Sequence, residues 1–280
     1  MQKGQSIAIV VIILAIGGGL VWWAMSMKSS TTPPTNSVSA NPSDVTPPAP
    51  TAPTPVNVTE VDLKTDPKLG SYLADNNGRA LYIFAKDADG QSACTGSCLK
   101  VWPVFNIATV ALGPGLDRGD FKSITRGDGT VQTTYYGWPL YTYAGDSAPG
   151  DVKGEGIGKL WSVAKPDYTV VFANKNNTNY LVGWDNGLTL YTYAKDTPNT
   201  SNCSGACAQN WPIFSVDKIV APSYIDATRL ANIVRADKKS QTTFDKMPLY
   251  QFVQDSVQGD MKGQGFVGAW STVDPFSQKK

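Results

Sequence analysis

Four cysteines stand in two tight pairs, CTGSC at Cys94–Cys98 and CSGAC at Cys203–Cys207, and no other side chains here look more suited to chemistry. Three chemistries share that spacing. Cysteines four apart on one turn fall within disulfide reach, and the central Gly96 or Gly205 relieves backbone strain. Two thiolates so placed also suit copper, or thiol exchange. Copper sites with this spacing usually add a histidine, and the chain has none. The disulfide is therefore the favoured reading, with metal binding and redox exchange as its rivals. The missing histidine also removes Ser-His-Asp triads, His-ligated zinc and C-x-x-C-H haem attachment. Carboxylates alone can run glycoside hydrolysis, but no particular pair stands out, so a binding protein is favoured over an enzyme.

A second set recurs four times as Leu-Tyr-x-aromatic-x-x-Asp: Tyr82, Phe84 and Asp87; Tyr141, Tyr143 and Asp146; Tyr191, Tyr193 and Asp196; Tyr250, Phe252 and Asp255. Each Asp precedes a tryptophan by 15 residues, at Trp102, Trp161, Trp211 and Trp270. Side chains alternate faces along a strand, so the two rings of each motif share a face and the preceding leucine points the other way. Such a strand is covered on both sides. The Asp lies just past the strand, where it commonly bonds the backbone of the turn it begins. The alternative is that these carboxylates converge on a cation or polar ligand. Asp146 with Asp151, and Asp255 with Asp260, precede KGEG and KGQG, and oxygen-rich glycine loops can hold calcium. The spacing matches no EF-hand, and Lys153 and Lys262 oppose a cation. No cofactor is expected, with calcium or copper as the outside alternatives. Trp102-Pro103 and Trp211-Pro212 read as buried anchors, or else as rings lining a ligand pocket.

The elements that position these residues come from a duplication. Shifted by 109 residues, Leu81–Pro166 aligns with Leu190–Pro275 without a gap, and 32 of 86 positions are identical. A weaker period, with offsets of 59, 50 and 59 residues between motifs, divides each copy into two units. The even units lack the cysteines and carry Lys153, Ile157, Lys262 and Phe266 at the aligned positions. Gly and Pro together number 45, and no long helical period follows residue 60, so the body reads as all-β. SYLADNNGRALYIF and VGWDNGLTLYTY predict hairpins around Asn-Gly turns. The even units predict three short strands each, giving about twelve strands in all. A four-bladed propeller-like ring and two separate β domains both satisfy that count.

These motifs resemble a bacterial and archaeal family of secreted repeats, predicted lipoproteins of unknown function marked by Y-x-aromatic-x-x-D. The C-x-G-x-C…WP segments at Cys94–Pro103 and Cys203–Pro212 fit as well, and the resemblance covers roughly residues 70–275. It implies an envelope location and supplies no activity. The chain departs from lipoprotein members because no cysteine occurs before Cys94, so no lipid can be carried on an N-terminal cysteine.

Attachment therefore falls to residues 1–28. Ile7–Met27 is uncharged and mostly apolar, long enough as a helix to span about 31 Å, and Trp22 and Trp23 suit a lipid interface. A signal peptide cleaved after Ser26 is the alternative, though the apolar core is long for one. Residues 29–60 hold eight prolines, two charges and no aromatic, and predict an extended spacer. Repeat copies follow at 61–166 and 167–280. A net charge of +1 gives no footprint for nucleic acid. The expectation is a membrane-tethered β-repeat protein facing the cell surface or periplasm and binding an unknown extracellular ligand or protein. A copper or electron-transfer protein and a carboxylate hydrolase are the alternatives.

Overall fold

Turn chemistry sets the repeating plan. A computed structural model describes residues 60–107 and 111–278. The first copy runs through hairpin β1 (Val61–Asp66) and β2 (Gly70–Asp75), strand β3 (Tyr82–Phe84) and helix α1 (Cys98–Val101). It continues with β4 (Phe121–Thr125), β5 (Val131–Tyr135), β6 (Trp138–Pro139) and β7 (Trp161–Val163). The second copy repeats the order as β8 (Val170–Lys175), β9 (Thr178–Gly183), β10 (Tyr191–Tyr193) and α2 (Ala206–Asn210). It ends with β11 (Leu230–Val234), β12 (Ser240–Phe244), β13 (Met247–Pro248) and β14 (Trp270–Thr272). All these residues lie in one compact unit, Thr54–Lys280.

The strands form six small antiparallel sheets. Repeated β structure with few helices matches the expectation. The described residues show no closed barrel or propeller, and they hold 14 strands rather than about twelve, because Trp161–Val163 and Trp270–Thr272 add one to each copy. No helix among them is long and apolar enough to cross a membrane. The expected span and all of the spacer except Glu60 lie outside the described residues.

The predicted hairpins close but are short. Asn76-Asn77-Gly78 does reverse the chain: the Asp75 carboxylate accepts the N–H groups of Asn77 and Arg79, and Gly78 takes a φ of 75°. Yet β2 ladders with β1, and β3 with β7. After one bridge at Ala74 and Ala80, Tyr82 finds its backbone partners in Tyr141 and Val163, where its ring is buried. The second copy repeats this, with β10 beside β14 and Tyr191 bridging Tyr250.

The motif leucines and tyrosines do face opposite ways. Leu81 and Leu140 belong to one buried cluster, Tyr82 and Tyr141 to another. Leu190 and Leu249 are likewise separated from Tyr191 and Tyr250. Hairpin β8–β9 joins the copies through its own alternation. Val171, Ala173, Tyr180 and Val182 enter the core that holds Leu81, Tyr135 and Leu140, while Val170, Phe172 and Leu181 enter the core of their own copy.

Candidate functional site

Inside each copy the four-residue motif closes a reciprocal clasp. Tyr82 donates its O–H to Asp146 at 2.7 Å, and Tyr141 donates to Asp87 at 2.7 Å. Thus the Tyr of each unit meets the Asp of the other. The second copy repeats the exchange, Tyr191 to Asp255 at 2.6 Å and Tyr250 to Asp196 at 2.7 Å. The remaining carboxylate oxygens cap loops, as the sequence suggested, by accepting N–H groups from Ala93, Lys153, Asn202 and Lys262. Gly154 lies on the Tyr82 ring, donating to its oxygen at 3.2 Å, and a Cβ there would sit 2.7 Å from the ring. That contact explains the glycine of KGEG, and Gly263 makes the same one over Tyr191.

Burial controls the protons. Desolvation pushes Asp87 up to about 7, against the pull of the Ala93 N–H, the Tyr141 hydroxyl and Arg126. It raises Asp146, Asp196 and Asp255 as well, and raises Tyr82, Tyr141 and Tyr191, so the tyrosines stay protonated donors. The sign for stability follows. Between pH about 4 and about 7 folded Asp87 keeps a proton that the unfolded chain has lost, so its contribution is full at low pH and lost as pH rises to about 7. Asp151 and Asp260, held down to about 2, act oppositely and only below about 4. Thermal unfolding across pH is expected to show maximum stability near pH 4–5, falling toward pH 8. In Asp87→Asn the part of that fall that Asp87 contributes, up to about pH 7, should vanish.

Residues outside the motif complete one half of each clasp. The buried Arg126 guanidinium donates to Gln132 and to the Cys94 carbonyl, both at 2.8 Å, and to Ser92, whose hydroxyl lies 2.6 Å from that of Tyr141. Arg235, Gln241, Ser201 and the Cys203 carbonyl repeat the network around Tyr250. Sequence reasoning passed over Arg126, Gln132 and Ser92 and their counterparts, although all are identical at the 109-residue shift.

The tryptophans interleave as the tyrosines do. Phe84, Trp161, Trp102 and Tyr143 form a column with ring separations of 4.2, 3.7 and 4.4 Å, alternating between the two units. Tyr193, Trp270, Trp211 and Phe252 repeat it at 4.4, 3.6 and 4.2 Å. Each cysteine pair stands at disulfide geometry with Cα atoms 5.4 and 5.3 Å apart, and Cys98 and Cys207 accept the N–H of Trp102 and Trp211 through their carbonyls. The clip thus fixes the loop that presents the column's central ring. Closing so small a loop contributes about 2 kcal/mol. A Cys94→Ala/Cys98→Ala variant should therefore unfold at a slightly lower denaturant midpoint with an unchanged slope, and reductant should move the parent the same way.

The predicted oxygen-rich loops are already filled. Asp151 accepts from the Lys153 ammonium at 2.7 Å and from the N–H groups of Ser147 and Ala148, and Asp260 repeats this with Lys262, Ser256 and Val257. Among the described residues no group of three or more His, Cys, Asp or Glu side chains is placed to hold a metal ion.

The four units also answer to a family model. A model described as a secreted repeat of unknown function matches residues 65–106, 122–165, 184–215 and 231–274, together more than half of the sequence. The chain belongs to this secreted-repeat family. Each match spans one complete tyrosine motif together with its tryptophan. The family suggests an extracellular or cell-surface location. No curated protein and no solved structure matches the chain.

Away from the clasps, the secreted-repeat body has an open groove of about 500 Å³ in its second copy, lined by Tyr193, Ala194, Phe244, Asp245, Met247 and Val273 among others. Its volume falls within the range of ligand sites. Arg229 braces one wall, pairing with Asp245 and donating to the Pro275 and Ser277 carbonyls.

Proposed function

We propose that the chain is an extracytoplasmic interaction module, tethered to the membrane through residues 7–27 and held off it by residues 29–60. The observation that carries this reading is the clasp. In all four motifs the Tyr hydroxyl and the Asp carboxylate are engaged with each other across units. The chemistry that looked available to a substrate serves to hold the body together, and the open groove of the second copy offers a surface for a partner. The family's secreted character and the paired cysteines support an oxidising location.

Intact cells making the full chain supply the test. External protease should remove the body, and the chain should sediment with membranes and be released by detergent but not by high salt. Peptides selected by display on the full chain in detergent should bind it, and Met247→Arg should abolish that binding. A chain that is protected from external protease, or released by salt, or bound by no selected peptide, would contradict the proposal.

A further inference from the structure

The groove of the second copy has a filled twin. Its lining residues Phe244, Asp245, Met247 and Ser277 correspond, at the 109-residue shift, to Tyr135, Tyr136, Trp138 and Tyr168. Those four rings surround one indole, Trp184, with centroids at 6.0, 5.5, 6.4 and 5.6 Å. Ala194, also in the groove, corresponds to Ala85, whose carbonyl accepts the Asn174 N–H of strand β8. So in the first copy this surface is covered by hairpin β8–β9: β8 supplies the backbone donor to Ala85, and Trp184, directly after β9, supplies a bulky aromatic anchor at the other end of the hairpin. In the second copy the same surface stands open.

We infer that this groove receives a β-hairpin of a partner polypeptide, one strand hydrogen-bonded through its backbone to the Ala194 carbonyl and the other followed by an aromatic side chain in the place of Trp184. The inference rests on the interaction-module reading and names the partner's chemistry. Strand addition gives such a contact its affinity and an aromatic in a pocket its hot spot. The residues that differ from the twin fit a partner that comes and goes. Met247 replaces Trp138, and Met adapts to varied ligands. Asp245 replaces Tyr136 and places a carboxylate, already braced by Arg229, on the wall. A second copy of this chain fits less well. Its hairpin β1–β2 is already packed into the first copy through Val61, Tyr72 and Leu73, has no tryptophan in the turn that follows, and carries Asp62 and Lys64 where β8 has Val171 and Ala173.

The probe is a disulfide-closed synthetic hairpin copying residues 170–189, titrated as a labelled peptide against the full chain in detergent. Saturable binding is expected, weakened at least tenfold by Trp184→Ala in the peptide. Met247→Arg or Thr192→Lys in the protein should weaken it as much, while Val101→Arg, exposed elsewhere, should leave it unchanged. Absence of saturable binding, or binding indifferent to both groove variants, would overturn the inference. Display-selected peptides that still bound the chain would then leave the interaction-module reading standing. Self-association abolished by Met247→Arg would put a second copy in the groove and overturn the partner assignment.

Discussion

Replacing Asp87 by alanine is expected to cost the body about 3–5 kcal/mol. The side chain is fully buried, and both its oxygens are used, one by the Ala93 N–H and one by the Tyr141 hydroxyl, each at 2.7 Å. Alanine strands the Ala93 N–H away from water and leaves the Tyr141 hydroxyl only Ser92 as a neighbour, at about 1–3 kcal/mol for each lost bond, and opens a void beside the ring. Asn, which keeps an acceptor and the volume, should cost about half as much. Denaturant unfolding of the three forms at one pH measures the series. Equal losses for Ala and Asn would mean that the carboxylate's charge matters more than its two hydrogen bonds.

Trp184→Ala is the second large change, with an expected loss of about 3–5 kcal/mol. Trp184 is buried against four rings, three from the first copy and Tyr168 from the start of the second. Its indole N–H has no partner among the described residues, so the loss is one of apolar packing. This residue joins the copies, and its removal should uncouple them. Calorimetry should show one transition in the parent and two in the variant. A single transition, shifted as a whole, would show that hairpin β8–β9 couples the cores without this ring.

The parts of this architecture that the sequence made legible share one property: they are local or they repeat. Duplication was readable because no gap separates the copies after Leu81 and Leu190. Opposite faces for Leu81 and Tyr82 followed from strand alternation, and the cysteine clips from a spacing of four. What escaped was long-range. The motif sets Tyr82 beside Asp87, five residues away, and nothing in its spacing says that Tyr82 bonds Asp146, 64 residues on. That choice arises because β3 and the Tyr141 segment pair antiparallel, which carries each ring to the far unit's loop. Trp184 escaped for a different reason. The connection after β9 is one residue longer than that after β2, so its tryptophan has no repeat to mark it. The groove could not be seen at all, since it is defined by a hairpin present beside one copy and not the other.

A double-mutant cycle addresses the exchange of partners most directly. Unfolding free energies would be measured for Tyr82→Phe, Asp146→Ala and Asp87→Ala, and for the doubles that combine Tyr82→Phe with each aspartate. Crossed wiring predicts coupling of about 1–3 kcal/mol between Tyr82 and Asp146 and less than about 0.5 kcal/mol between Tyr82 and Asp87. The reverse pattern, strong coupling within a unit and none across, would contradict it.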